Sequence, residues 1–378
     1  MTRLKTLTTL PRRELLFRAR RKVRAKHLSL TGLPLGELVP VSIYNIAELQ
    51  QRYPHASFKT LLESCELDHL SPRHLEEDSL AIAKPFKVEC ETVLLDVHDS
   101  NFSFRNHLVL DESLNILYAD LTPREQIVAF REFAPRKVRR YSGTIAYISN
   151  TWVDNYYHWM QLALPLLRLY QKLAPEVKPD YYYVGESQLD RVQSETLARL
   201  GIRSNQIIRE ACTADRLIAA FCLHRPQHSG SRYRDIWGHE FVRNLYWPVS
   251  QSGNGPKGIY LTRRDAGIRR LLNEDRLIEY LCRHGFVAVT LSGMSVVQQA
   301  ELFAGAEYIV SVHGAALTNL LFVNDGTRLI EIYPDGYGDA GHFAAATYRR
   351  MNYAYLLAEK VGDDIQVDLD KLKRLLEG

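Results

Sequence analysis

The apolar and polar positions of the chain alternate from about residue 141 onward in the manner of an α/β protein. Short apolar runs typical of buried strands are separated by longer segments in which apolar residues recur every three or four positions. The predicted strands cover residues 143–149, 180–184, 206–209, 217–223, 259–262, 286–291, 308–312, 329–333 and 353–359. This alternation predicts mostly parallel strands joined by helices.

The intervening helices have recognisable ends. Ser295 is followed three residues later by Gln298, which predicts a capping box. Asn273 is a predicted N-cap, and Pro165 is expected to interrupt a helix. The predicted helices cover residues 155–171, 187–200, 234–247, 273–284, 295–304 and 369–376. Together these elements predict two Rossmann-like units that face a central cleft, with ligands at the carboxyl ends of the strands.

The pattern also predicts the domain boundaries. We expect a basic arm at 1–30, an N-terminal domain at 31–250 whose Rossmann-like part spans about 141–250, a C-terminal domain at 251–345, and a closing strand and helix at 346–378. Residues 31–140 are predicted to form short strands and a hairpin, and their sequence indicates no particular chemistry. The glycine-containing stretch 248–258 lacks the spacing of a P-loop and is interpreted as a linker.

The amino-acid composition indicates the class of protein and its cellular compartment. The 378 residues are 46% hydrophobic and 24% charged, as in soluble globular proteins, and no apolar run approaches the roughly 20 residues that span a bilayer. The start of the chain lacks the apolar core of a signal peptide. The five cysteines form no C-x-x-C pair, which argues against a disulfide framework and a zinc site. These features predict a cytoplasmic protein.

Charge is concentrated at the start of the chain. Residues 1–27 hold ten Lys or Arg and one acidic residue, with leucines interleaved. Such a segment is typical either of a basic helix that lies on an anionic membrane surface or of a solvated tail. Because no nucleic-acid module follows the arm, we expect no nucleic-acid partner.

The first candidate site follows the strand at 308–312. His313 and Gly314 form a turn where a helix begins, and the unpaired N–H groups of a helix start attract phosphate. Asn319 lies further along the same segment. Glu331, late in the next strand, is interpreted either as an acceptor for ribose hydroxyls or as a strand-end charge in solvent.

The second candidate site is an arginine-rich loop. Arg263 and Arg264 leave the strand at 259–262, and Arg269 and Arg270 precede the next helix. Guanidinium groups pair with diphosphate oxygens. We therefore expect Arg263 and Arg269 to contact phosphate, whereas Arg270 fits a solvated surface.

The third candidate site lies at a strand-to-helix turn in the first unit. His158 and, less directly, Asp154 suit a general base that takes a proton from a hydroxyl. The neighbouring aromatic residues offer flat surfaces of the kind that stack on sugars. These aromatic residues are Trp152, Tyr156, Tyr157 and Trp159. The structural alternative is a histidine that caps an aromatic core.

Four segments together resemble glycosyltransferase family 61. They are DNYYHW with Leu164 and Pro165, YLTRRDAGIRRLLNE, MSVVQQAELFAGAEYIVSVHGAALTNLLF and LIEIYP. The resemblance implies a GT-B fold, an inverting mechanism and a nucleotide-sugar donor held by the C-terminal unit. It places Arg263, Arg264, Arg269, Gln299, His313, Gly314, Asn319 and Glu331 at the donor and His158 with Asp154 at the acceptor. Leu162 stands where many relatives have an acidic residue.

The resemblance further implies a bacterial enzyme of capsule, exopolysaccharide or lipopolysaccharide assembly. Its acceptor would be a saccharide or a lipid-linked sugar. No metal or other cofactor is expected, because arginines and a helix start can neutralise the leaving diphosphate. Two alternatives stay open on the same scaffold: a nucleotide-sugar epimerase and a noncatalytic nucleotide-sugar-binding subunit of a membrane assembly.

Overall fold

The structure is a computed structural model that describes most of the chain beyond residue 40. The described residues are 41–42, 46–67, 86–98, 102–105, 107–111, 116–118, 138–150, 152–223, 238–250, 255–337 and 341–377. The described residues belong to one compact unit, Pro40–Gly378. The predicted basic arm and residues 251–254 of the predicted linker lie outside the described residues. Residues 248–250 belong to a helix and Gly258 begins a strand, so the linker prediction is wrong at both of its ends.

The first sheet has ten strands among the described residues and mixes two directions. Its strands are β1 (Val41–Ser42), β2 (Ala56–Leu67), β3 (Phe86–His98), β4 (Phe102–Arg105), β5 (Leu108–Asp111), β6 (Ile116–Tyr118), β7 (Arg139–Tyr147), β8 (Tyr181–Tyr183), β9 (Ile207–Ile208) and β10 (Cys212–Leu223). Strands β10, β7, β8 and β9 are parallel neighbours. On its other side β10 pairs antiparallel with β3 and β4, so the Rossmann-like part is joined edge to edge to the hairpins that precede it.

The second sheet is almost entirely parallel. Its strands are β11 (Gly258–Leu261), β12 (Phe286–Val289), β13 (Tyr308–Val312), β14 (Arg328–Pro334), β15 (Asn352–Val361) and β16 (Asp364–Gln366). The order is β12-β11-β13-β14-β15-β16, and only β16 runs antiparallel to its neighbour among these strands. The α/β class with two sheets is therefore confirmed.

Helices cover both sheets. They are α1 (Ile46–Arg52), α2 (Tyr156–His158), α3 (Leu166–Leu173), α4 (Asp190–Arg199), α5 (His239–Ser250), α6 (Glu274–Arg283), α7 (Val296–Gly305), α8 (Gly341–Tyr348) and α9 (Leu369–Glu377), with 3₁₀ turns at Ser204–Gln206 and Ala315–Phe322. In the part of the chain that the structure describes, no helix has the length and apolar content to cross a membrane.

Successive residues of the second sheet enter two different cores. Ile259 and Ile309 pack into the core that also holds the first sheet, whereas Tyr260 and Val310 pack into a separate core beneath α6 and α9. Because side chains of a strand alternate between faces, a sheet covered on both sides needs apolar residues at consecutive positions. The continuous apolar runs of β11 and β13 meet that need.

The structure refines two helix predictions. The helix expected across Pro165 is divided into α2, a π-helical turn at Trp159–Ala163 and α3, because proline supplies no N–H and displaces the preceding turn. Asn273 precedes α6 as predicted, but its side chain bonds the backbone of Val367 instead of capping the helix. The capping box of Ser295 and Gln298 is confirmed.

Candidate active site

Arg263 and Arg269 are brought together in the loop after β11, and both guanidinium groups are partly buried. Arg263 Nη2 donates to the carbonyl of Ile268 (2.7 Å). Among the described residues, no hydrogen-bond partner meets Arg263 Nε or the Nε and Nη1 of Arg269, although these atoms are buried. Buried donors of this kind cost free energy unless a ligand or water satisfies them.

Burial and the neighbouring cation both act on Arg263. Removal from water and, next, the positive charge of Arg269 lower the pKa of Arg263 to about 10. Two like charges held close together with unsatisfied buried donors favour an anion at that point. The loop therefore has the electrostatics of a phosphate-binding site.

Gly314 provides the space for this arrangement. Its φ of 172° is ordinary extended backbone, so the dihedral angle does not call for glycine. A Cβ at this position would instead clash with Nη1 of Arg263. The sequence predicts Gly314 in a phosphate-binding turn; in the structure the group that approaches its backbone is the Arg263 guanidinium.

His313 is held by a buried carboxylate. Its Nδ1 lies 2.6 Å from Oε1 of Glu331, and the hydroxyl of Tyr353 donates to Oε2 of Glu331 (2.9 Å). Glu331 is 0% exposed, so the alternative of a strand-end charge in solvent is wrong. Both of its oxygens already have partners within the protein, which leaves the expected contact with ribose hydroxyls without support.

The charge of Glu331 is favoured by its partners. Complete burial opposes ionisation, but the hydrogen bond and charge of His313, the charge of His342 and the Tyr353 hydroxyl hold the pKa of Glu331 below its usual range. We infer a carboxylate that fixes the orientation of the His313 ring. Such a pairing settles which ring nitrogen faces the carboxylate and leaves Nε2 for other partners.

Aromatic rings surround His313 on several sides. Tyr333 stacks on it at a centroid distance of 4.9 Å, and Tyr337 and His342 lie at 4.9 and 5.0 Å. The Arg269 guanidinium lies over the Tyr337 ring, 5.2 Å from its centroid. Tyr337 thus joins the histidine turn to the arginine loop.

His313, Glu331 and His342 also form the one group of side chains, in the residues that the structure describes, whose donor atoms can hold a metal ion. The three donor atoms lie within 4.8 Å of one another, and all three residues are buried. Two imidazoles and a carboxylate suit several divalent transition metals. His313 and Glu331 are, however, already at direct hydrogen-bond distance.

Asn319 and Gln299 belong to a hydrogen-bond network that connects α2 to α7 through the 3₁₀ turn at Ala315–Phe322. The Tyr156 hydroxyl donates to Oδ1 of Asn319 (2.8 Å), and Nδ2 of Asn319 donates to Oε1 of Gln299 (2.8 Å) and to the carbonyl of Ala316 (3.1 Å). Both amides are buried. We therefore expect them to position the turn around His313 and α2, since these bonds occupy the Asn319 side chain.

His158 ends α2 and is half-buried among aromatic rings. Its ring lies 6.3 Å from Trp152 and meets Tyr157 edge-on at 5.4 Å. Tyr157 in turn meets His342 edge-on at 5.6 Å. The two candidate histidines, His158 and His313, are therefore connected through Tyr157 and His342.

Two predicted site residues lie apart from this group. Arg264 is 58% exposed and pairs with Asp275. Asp154 is exposed, and its Oδ1 accepts a hydrogen bond from the backbone N–H of Gln188 (2.6 Å). Its role as a partner of His158 stays a prediction.

Four residues of the site are not predicted by the sequence pattern. Tyr337, His342 and Tyr353 lie beyond the motif that ends at Pro334, and pairing of β15 with β14 brings Tyr353 to Glu331. Glu274 accepts hydrogen bonds from the backbone N–H of Arg263 and from the Tyr260 hydroxyl (2.8 Å each). An acidic residue at the start of a helix was the available signal for Glu274.

The fold and the site define an α/β protein with a cationic, phosphate-suited group of side chains at the carboxyl ends of parallel strands. Residues 156–330 match the model of the family described as Glycosyltransferase 61. The chain is also 32% identical over 109 residues to a beta-1,2-xylosyltransferase, XAX1, of Oryza sativa subsp. japonica. That match covers 28% of this chain and 19% of the relative, so the chain spans about a fifth of the relative's length. Both matches support a glycosyltransferase.

Proposed function

We propose that the protein is an inverting, metal-independent glycosyltransferase that moves a sugar from a nucleotide-sugar donor to a hydroxyl of a saccharide or lipid-linked acceptor. The GT-B arrangement, with the first sheet on the acceptor side and the second on the donor side, is part of this proposal. The observation that carries it is the pair of partly buried arginines, Arg263 and Arg269, whose free donors lie next to the His313 turn.

A nucleoside diphosphate fits the donors on the second sheet. Guanidinium groups bind diphosphate oxygens through paired N–H donors, and the buried donors of Arg263 and Arg269 would gain the partners they lack within the described residues. The leaving group of sugar transfer is this diphosphate, so the same contacts would stabilise the charge that develops in the transition state.

In the proposed reaction, His158 accepts the proton of an acceptor hydroxyl while the hydroxyl oxygen attacks the anomeric carbon. The bond from that carbon to the diphosphate oxygen breaks, and the electron pair leaves with the nucleotide. Arg263, Arg269 and His313 Nε2 would face the departing charge. Glu331 acts through His313 by holding its ring.

We propose no metal step. The His313–Glu331 pair is closed by a direct hydrogen bond of 2.6 Å, and the two arginines supply the positive charge that a cation would bring in another fold. His313, Glu331 and His342 are the residues that would hold an ion.

Nucleoside diphosphates should raise the melting temperature of the full-length protein in the presence of EDTA. A ligand that binds only the folded state stabilises it by about 2.7 kcal/mol at a hundred times its dissociation constant. We expect UDP, GDP or CDP to give this stabilisation and the corresponding nucleosides to give none. Differential scanning fluorimetry with each compound is the measurement.

The Arg263→Met variant is the control, with Arg283→Met as its match on an exposed helix end. Arg263→Met should lose the stabilisation and Arg283→Met should keep it. Equal stabilisation of both variants, or stabilisation that requires added metal, would contradict the proposed donor site.

The substrate class and the setting are also proposals. The name of the rice relative favours transfer of a pentose, but this match covers a small part of that protein. We propose a bacterial enzyme of capsule, exopolysaccharide or lipopolysaccharide assembly, located in the cytoplasm and attached at the inner face of the membrane through residues 1–27.

Vesicles that contain anionic lipid should sediment the full-length protein, and removal of residues 1–27 should abolish this. Each cation near such a surface contributes about 1 kcal/mol, and the arm holds ten. Neutral vesicles are the control for hydrophobic adsorption. Equal sedimentation of the shortened and full-length chains would contradict membrane attachment by the arm.

A further inference from the structure

We infer that Trp152 is the platform on which a sugar ring of the acceptor stacks. The inference rests on the proposed function and adds a binding residue on the acceptor side. Trp152 is 54% exposed, whereas the neighbouring Trp159 is fully buried and donates from Nε1 to Thr196. Tryptophan is buried on average, so an exposed indole beside a candidate base is notable.

The backbone of Trp152 is fixed relative to His158. Asn150 accepts a hydrogen bond from the Trp152 N–H (2.9 Å), and its Nδ2 donates to the carbonyl of His158 (3.3 Å). The Trp152 carbonyl also accepts from the N–H of Asn155 (2.9 Å). The indole therefore extends from a turn that hydrogen bonds hold in place. Its ring centroid lies 6.3 Å from that of His158, at an interplanar angle of 32°.

Trp152 is one end of a row of rings that reaches the donor side. The row continues through His158, Tyr157 and His342 to His313, with neighbouring centroids 5.0 to 6.3 Å apart. Its other end is Tyr337, which is 38% exposed and lies against Arg269. The two most exposed rings of this row therefore lie at its ends, one beside the candidate base and one beside the proposed diphosphate site.

A saccharide fits the Trp152 end better than a charged or purely apolar ligand. The C–H face of a sugar ring packs on an indole while its hydroxyls stay in water, which suits an amphipathic and half-exposed ring. A sugar seated there would carry a hydroxyl toward His158, where the proposed reaction needs a nucleophile.

The test uses the full-length protein, labelled and applied to an array of xylo-, gluco- and manno-oligosaccharides. Trp152→Ala should weaken binding to the recognised sugar at least tenfold, and Trp152→Phe, which keeps a smaller aromatic face, should weaken it less. Leu62→Ala is the matched control, because Leu62 is also exposed (63%) but belongs to no part of the ring row. Its binding should equal that of the unaltered protein.

A second measurement separates positioning of the acceptor from damage to the fold. In steady-state assays Trp152→Ala should raise KM for the acceptor about tenfold and leave KM for the donor unchanged. Tyr337→Ala should show the reverse preference, because Tyr337 lies at the donor end. Stabilisation of Trp152→Ala by the nucleoside diphosphate that stabilises the unaltered protein reports an intact donor side independently of turnover.

Two results would overturn the inference. One is unchanged oligosaccharide binding by Trp152→Ala, and the other is an unaltered protein that binds no sugar on the array. If UDP, GDP and CDP all fail to stabilise the unaltered protein as well, the proposed glycosyltransferase function fails with it; if one of them stabilises it, only the role of Trp152 is lost.

Discussion

Replacement of His158 by alanine should lower kcat at least 100-fold while donor binding persists. A positioned general base contributes about 100- to 10,000-fold, and the proposed donor contacts come from the other sheet. Because a base must be unprotonated to accept the hydroxyl proton, the rate of the unaltered enzyme should fall at acidic pH. The acid limb should disappear from the residual activity of His158→Ala. Steady-state kinetics across pH with a nucleotide-sugar donor measure both effects.

His284→Ala and Asp154→Asn are the comparisons for His158. His284 is an exposed histidine at the end of α6, and its loss should leave kcat within twofold. Asp154 accepts from the backbone of Gln188, so its loss should lower stability by about 1 kcal/mol and change kcat little. A kcat of His158→Ala near that of the unaltered enzyme would remove His158 from the mechanism. An equal loss in Asp154→Asn would support the predicted role of Asp154 beside His158.

Much of the second sheet could be predicted because its signals are local. The apolar run of β13 matches the observed Tyr308–Val312, and the Ser295 capping box marks the start of α7. The pairing of β10 with β3 could not be predicted in the same way. It joins residues more than a hundred positions apart, and no local pattern specifies which edge of the first sheet receives the earlier hairpins.

In the candidate site, too, some contacts could be predicted from the sequence and others depend on long-range strand pairing. Arg263 and His313 follow strands of one parallel sheet, and their proximity follows from the rule that such strand ends meet at one edge. The burial of Glu331 was also indicated by the sequence, although neither interpretation used that signal. Glu331 lies between Ile330 and Ile332 in an apolar run, which indicates a buried and partnered carboxylate. Its partner Tyr353 lies on the next strand and was visible only after the strands were paired.

Glu331 is the residue whose loss should cost the most stability. It is fully buried between His313 and Tyr353, and a glutamine of the same size would remove the charge while keeping the volume. The glutamine amide would also place a donor toward one of two groups that now donate. We expect Glu331→Gln to lower the free energy of unfolding by about 2–4 kcal/mol.

Two further variants serve as comparisons for the loss of stability expected in Glu331→Gln. Tyr353→Phe removes only the hydroxyl that donates to Glu331 and should cost about 1 kcal/mol. Glu359→Gln, at an exposed position of β15, should cost less than about 0.5 kcal/mol. Loss of the carboxylate should also lower kcat without a matching change in acceptor KM, since Glu331 acts through the orientation of His313.

The pH dependence of the Glu331→Gln effect follows from the lowered pKa of Glu331. The pKa of a glutamate in the unfolded chain is about 4.3, and the folded value lies below it. The carboxylate therefore stabilises the fold fully above about pH 5, and this contribution is lost as pH falls through the folded pKa. Urea unfolding from neutral to acidic pH should show the two proteins converging as pH falls below about 5, the range in which the unfolded carboxylate begins to bind protons. A stability difference that instead grows as pH falls from neutral would mean that Glu331 is protonated in the folded protein and that His313 is oriented by a neutral acid.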